Sequence, residues 1–215
     1  MEPAGPQLRI RKGPLHYLLP LRDQISSRRR WQASSILMSK YFDEMKRAME
    51  LLGEKQNTIF IGQAVAVAGT AMRNTLVDVN PDKLIEFPVE EDMQMGLSIG
   101  MSLNGLIPIS IFPRWNFLLL ATNQIVNHLD KLKELTGDSN PGKVIIRSGI
   151  GSVNPLHPGP QHTGDYTEAF KLMCPNMNVV RLDSTEMIVE EYLHAYNRTD
   201  GVSTLLIEWS DKYND

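Results

Sequence analysis

The 215-residue chain is poor in cysteine, with Cys174 alone, and poor in aromatic residues, at 7%. A single thiol excludes a disulfide framework and any zinc site built from several cysteines. The longest apolar stretch runs from Thr58 to Met72 and is interrupted by Gln63. No run approaches the roughly 18 apolar residues of a membrane-spanning helix, so no membrane partner is expected. The net charge of −3 leaves no electrostatic footprint for nucleic acid. There is no P-loop, dinucleotide-binding glycine fingerprint, nucleophile elbow, repeat or low-complexity tract. What is present is 42% hydrophobic residues, enough for a sizeable core in one domain. The expectation is a soluble, cytoplasmic, globular domain.

Charge is unevenly spread. Residues 1–37 carry Arg9, Arg11, Lys12, Arg22, Arg28, Arg29 and Arg30 against only Glu2 and Asp23, giving +5, so the other 178 residues carry −8. The same segment holds Pro3, Pro6, Pro14 and Pro20 and shows no sustained periodicity. It reads as a disordered basic extension, or as sequence ahead of a start at Met38. A transit peptide, which would place the protein in an organelle matrix, and an arginine cluster facing an acidic partner are the alternatives. The folded domain is expected over 38–215.

From Ser39 onward the pattern alternates regularly. Tyr41, Met45, Met49 and Leu52 recur at helical spacing, and Gly53 follows as a C-terminal cap. Apolar runs at 58–62, 84–87, 107–112, 143–147, 178–182 and 203–209 read as strands. Helices are expected over 90–104, 117–135, 165–173 and 184–196. Six short strands separated by helices predict an α/β, three-layer fold, with a mostly parallel six-stranded sheet and helices on both faces. In such sheets ligands bind beyond the strands' carboxyl ends, here after Ile61, Phe87, Phe112 and Arg147. The Gly- and Pro-rich stretch 148–164 is long for a loop, which marks it as functional.

Each candidate for chemistry has a plainer reading beside it. Glu90-Glu91-Asp92 opens a helix, where acids favour the dipole by about 0.3–1 kcal/mol each. Successive helical side chains point about 100° apart, however, so one of the three faces a cleft or interface. A carboxyl group held in an apolar surround beside other acids can keep its proton near neutrality. Gly96 and Gly100, four apart on that helix with Met93, predict close packing. Trp115-Asn116-Phe117 at a strand's end is a core cluster or a ligand platform. His157 and His162 lie in the long loop, solvated or placed for proton transfer. His16, His128 and His194 form no metal-ligand spacing with them, and no metal site is expected on this chain.

The run Phe87-Pro88-Val89-Glu90-Glu91-Asp92-Met93-Gln94-Met95-Gly96-Leu97-Ser98-Ile99-Gly100, continued by Asn104-Gly105-Leu106-Ile107-Pro108-Ile109, resembles the pyrimidine-binding domain of transketolase-like thiamine diphosphate enzymes. The likeness is greatest to the beta subunit of pyruvate dehydrogenase-type 2-oxo acid dehydrogenases. It extends through Phe112, Asn116-Phe117, 121–125, Gln161-His162 and Leu205-Leu206-Ile207-Glu208. By this resemblance Glu91 matches the glutamate that hydrogen-bonds a pyrimidine ring nitrogen and favours the imino tautomer. Phe117 matches the aromatic that stacks on the pyrimidine, with Trp115 in the same wall. His162 matches a histidine beside the substrate that assists acyl transfer. Gln63 stands at a cofactor-facing position where the family often has an acid.

The resemblance further implies thiamine diphosphate as cofactor, with Mg2+ held by a partner subunit. No Gly-Asp-Gly metal motif of the family's type occurs here, and the family's diphosphate domain and further C-terminal domain have no counterpart before Asp215. The expected protein is thus one half of a split enzyme for a 2-oxo acid or ketose substrate. It would pair with a diphosphate-binding domain subunit in a heterotetramer. A non-catalytic assembly or regulatory module that keeps the fold, and a flavodoxin-like domain that binds a ligand alone, are the other readings.

Overall fold

The structure, a computed structural model, describes residues 40–68, 70–138, 141–154 and 156–214. The expected basic extension, 1–37, lies outside the described residues. Helix α1 (Lys40–Gly53) buries Tyr41, Met45, Met49 and Leu52, the stripe that its sequence spacing predicts. Strand β1 (Thr58–Gly62) follows, then a short helix α2 (Ala71–Asn74) and β2 (Leu84–Glu86). Next come α3 (Glu91–Leu103), β3 (Ile107–Ile111), α4 (Trp115–Leu118) and α5 (Leu132–Thr136). The chain continues through β4 (Ile145–Ile150), α6 (Thr167–Met173), β5 (Asn178–Arg181), α7 (Met187–Asn197) and β6 (Thr204–Trp209).

All six strands are parallel, in the order β2-β1-β3-β4-β6-β5. Parallel strands need covering on both faces, and side chains alternate accordingly. Leu206 and Ile145 join one core with Tyr41, Met45, Phe60, Ile188 and Tyr192. Leu205, Ile207 and Ile146 join the other with Met95, Ile99, Phe112, Ile125 and Phe170. Helices α1 and α7 thus cover one face, and α3 and α6 the other. The expected three-layer α/β fold is the one found.

Three local expectations are corrected. The single helix predicted over 117–135 is a broken series. Helix α4 already starts at Trp115, a 3-10 turn spans Leu119–Ala121, a π-helical turn spans Gln124–Leu129, and α5 follows. The wide turn closes with the Asp130 amide donating to the Ile125 carbonyl at 2.9 Å. The buried Asp130 carboxylate then accepts from the Asn176 backbone at 2.8 Å and from its side-chain amide at 3.2 Å. That demand comes from a residue far along the chain, and helical periodicity carries no trace of it.

Strand β4 starts at Ile145 and runs beyond Arg147 to Ile150, pairing with β6 as far as Ile150 opposite Trp209. Gly149 within it reads locally as loop, but the paired neighbour keeps it extended. Finally, Gly96 and Gly100 do not pack closely inside this chain. A methyl group at Gly96 would meet only the Gln124 side chain at 3.8 Å, and at Gly100 nothing within 4 Å.

Candidate active site

The sheet places four connections side by side at its carboxyl edge, after β2, β1, β3 and β4. Gln63 follows β1 directly. At Gly62 a side chain would strike the Ile111 carbonyl oxygen at 2.2 Å, so only glycine lets the two strand ends approach there. The following turn is held from below by Glu86 at the end of β2. Its carboxylate accepts from the backbone N–H groups of Ala64, Val65, Ala66 and Val67, at 2.7, 2.9, 2.7 and 3.2 Å. Partial burial works against the Glu86 charge, but these four donors outweigh it and hold the carboxyl below the usual range. Ala64, at φ +53°, is the one non-glycine residue with positive φ among the described residues. The nest of amides around Glu86 imposes that conformation.

Glu91 opens α3 with only 3% of its surface exposed, whereas Glu90 and Asp92 are exposed. Of the three adjacent acids, then, one is turned inward. Gln63 Nε2 donates to Glu91 Oε1 at 3.0 Å. Among the described residues, Oε2 has no hydrogen-bond partner. One turn on, the fully buried Gln94 pins α3 to the sheet, its Nε2 donating to Ser110 Oγ and the Ile111 carbonyl, both at 3.1 Å. Its Oε1 has no partner among the described residues. Asp92 accepts from Gln124 at 3.2 Å, tying the helix to the π-helical turn.

On the next strand ends, Phe117 is half-buried and its ring lies against His162, centroids 6.0 Å apart and planes tilted by 36°. His162 Nδ1 is 3.0 Å from Asn116 Oδ1. In the tautomer with the proton on Nδ1 the amide oxygen accepts it, and in a neutral ring Nε2 then keeps the lone pair. His162 lies in a 3-10 turn, Pro160–His162, within the long loop. Its backbone carbonyl passes so near Gly151 that a methyl group there would stand 1.8 Å from it.

The residues expected from sequence thus fall into two contacting pairs, Gln63 with Glu91 and Phe117 with His162, on neighbouring strand ends. Trp115 is different. It is 1% exposed and packs on Phe170 at 5.0 Å and Tyr166 at 6.0 Å, in the core shared with Met95 and Phe112. Its Nε1 has no partner among the described residues. Sequence reasoning missed the part of Asn116, although its place beside Phe117 was a usable signal. It also missed Gly151, which looked like one more loop glycine.

No group of three or more His, Cys, Asp or Glu side chains among the described residues is arranged to hold a metal ion. A cavity of about 870 Å³ opens at the opposite edge, where the strands begin, and Asp130, Asn176 and Arg198 are among its lining residues. Those polar groups are engaged locally, Asp130 by Asn176 and Arg198 by Asp200 at 2.6 Å. The carboxyl edge keeps the chemistry.

An all-parallel α/β sheet with a buried carboxyl group and an aromatic at its carboxyl edge places both where such folds bind ligands. Residues 38–211 match the family described as transketolase, pyrimidine binding domain. The chain belongs to that family. The human mitochondrial pyruvate dehydrogenase E1 component subunit beta is 26% identical over 168 residues, covering 75% of this chain and 46% of that protein. The 3-methyl-2-oxobutanoate dehydrogenase subunit beta of Mycobacterium tuberculosis is 26% identical over 138 residues, 61% of this chain and 38% of that one. A solved structure described as a split gene transketolase, inactive beta4 tetramer, shares the fold with a TM-score of 0.59 at 17% identity, covering 80% of this chain and 51% of that one. The chain spans less than half the length of the curated relatives it matches. No helix among the described residues is long and apolar enough to cross a membrane.

Proposed function

We propose that the chain is the pyrimidine-domain subunit of a split thiamine diphosphate-dependent enzyme acting on 2-oxo acids or ketoses. The observation that carries this reading is the buried Glu91 carboxyl group, one oxygen occupied by Gln63 and the other without a partner among the described residues. A flat heteroaromatic ring with a ring nitrogen suits that oxygen, and the half-buried Phe117 on a neighbouring strand end would offer its face. When bound, thiamine diphosphate supplies a nucleophilic thiazolium carbon and an aminopyrimidine that relays its proton.

The chain's own residues do the rest. Gln63 fixes the Glu91 rotamer by holding Oε1, which would leave Oε2 for a hydrogen bond to the ring nitrogen. Burial shields that bond from competing water and strengthens it. Phe117 offers its face to the pyrimidine. His162, with Nδ1–H held by Asn116, presents Nε2 to take or give a proton at the substrate.

A second subunit carrying a diphosphate-binding domain would hold the diphosphate and Mg2+. The surface beside Glu91 supports such a partner. Met93 and Leu97 are 63% and 40% exposed on α3, flanking Gly96 and Gly100, where an added methyl group would meet almost nothing in its own chain. Apolar helical surface with a small-residue groove suits burial against another subunit. Two copies of each subunit would form the heterotetramer.

The test is Glu91→Gln in the assembled subunits, which should lower turnover at least about 100-fold while leaving the melting temperature unchanged. Near-normal turnover overturns the assignment. Titration calorimetry provides a second reading: the chain alone should bind thiamine diphosphate weakly, and the mixture tightly.

A further inference from the structure

We infer that Asp211, beyond the last strand, is a positioning residue for His162; the inference rests on the role given to His162 above. Residues Ser210–Asn214 form a 3-10 turn after β6. That turn is fixed from inside the molecule. Tyr213 is 4% exposed, and its hydroxyl donates to Glu208 Oε2 while accepting from Arg147 Nη2 at 3.0 Å. Two residues earlier, Asp211 points its carboxylate at the start of the long loop. Its Oδ1 accepts from Ser152 Oγ at 3.1 Å, from the Val153 backbone at 2.8 Å and from the Asn154 backbone at 3.2 Å.

Gly151, the residue before this grip, is the one against which the His162 carbonyl packs without room for a methyl group. A chain of direct contacts therefore runs from the core, through Tyr213 and Asp211, to 152–154, Gly151 and the His162 backbone. The imidazole is held at its other end by Asn116 and Phe117. Removing the Asp211 carboxylate strips the Val153 and Asn154 N–H groups of their shared acceptor, while the Ser152 hydroxyl keeps the Asn154 carbonyl. The segment bracing the His162 backbone is then free to shift, and a shift of about 1 Å in a reacting group costs on the order of 100-fold in rate.

The experiment uses the full chain with 13C-labelled histidine. Asp211→Ala is compared with Asp211→Asn, which keeps an acceptor oxygen. Asp211→Ala should speed amide exchange at Val153 and Asn154 at least about ten-fold. It should also displace the His162 Hε1 resonance, leaving those of His128 and His194 in place. Asp211→Asn should return both signals toward wild type. A folded Asp211→Ala chain with an unmoved His162 resonance overturns the inference. Should that variant fail to fold, Asp211→Glu, which displaces the carboxylate by one methylene, gives the same two readouts.

In the assembled enzyme Asp211→Ala should lower kcat about 10- to 100-fold with KM for thiamine diphosphate unchanged, and an unchanged kcat overturns the inference. His162→Gln separates the two ideas. Wild-type turnover in that variant removes the role given to His162, while the resonance displacement in Asp211→Ala remains a fact about the loop.

Discussion

Arg147 lies in the middle of the sheet with no exposed side-chain surface, and Glu208 on the adjoining strand is equally buried. Arg147 Nε and Nη2 reach the two Glu208 oxygens, the second at 3.0 Å, and Nη1 donates to Thr75 Oγ1 at 2.9 Å. Burial pushes the Glu208 carboxyl up, and the guanidinium opposes it. Burial also works against the arginine charge, but Glu208 outweighs it and holds the guanidinium above its ordinary range. The same burial, together with Glu208, holds the Tyr192 phenol in its neutral form, well above its ordinary range. Removing one member of such a pair leaves a bare charge in the core. Arg147→Met should cost about 3–5 kcal/mol in urea unfolding, and Arg147→Met with Glu208→Leu much less. Equal losses in the single and double variants would contradict this account. In contrast to the acid triplet at 90–92, nothing near Arg147 in sequence announces its partner, 61 residues away.

At the scale of elements, the turn after β1 depends on Glu86 more than on its own residues. Ala64 to Val67 has no side chain able to satisfy its amides, and the carboxylate on the neighbouring strand does so. Glu86→Ala should expose those four N–H groups to exchange and loosen Gln63, which the turn presents to Glu91. Amide exchange on the variant should quicken at 64–67 while β1 itself stays protected. Protection unchanged at 64–67 would show that the strand ends alone hold the turn. Element existence was largely legible, since α1, β1, α3 and β3 follow their apolar periodicity. Boundaries were not legible where distant partners set them: Asp130 with Asn176 breaks the helix expected over 117–135, and β6 carries β4 on to Ile150.

For the whole molecule, the carboxylates of Glu86, Asp165, Asp183 and Asp200 are all held below their usual range. The causes differ. Burial opposes the charge at Glu86, Asp165 and Asp200 and is outweighed by hydrogen bonds from backbone amides, Thr167 and arginine. At Asp183 the Arg181 hydrogen bond is the largest influence. A depressed folded-state pKa contributes stability that is complete above the unfolded value and vanishes as pH falls through the folded one. The urea midpoint should therefore hold steady from pH 7 to about pH 5, then fall through and below the usual carboxylate range. A midpoint that rises on acidification would refute this.

The sequence by itself determined the layered α/β class, the family resemblance and the identity of Glu91, Phe117 and His162 as candidates. The fold class rests on local periodicity, and the three candidates on the family resemblance of short motifs, both of which a linear reading can see. Only the tertiary structure decided which of three adjacent acids turns inward, that Gln63 holds it, that Trp115 lies in the core, and that Asp211 grips the loop carrying His162. Apart from Trp115, which packs on Tyr166 and Phe170 at α6, those outcomes are contacts between strand ends that the parallel sheet brings together, and such contacts leave no mark on residues distant along the chain.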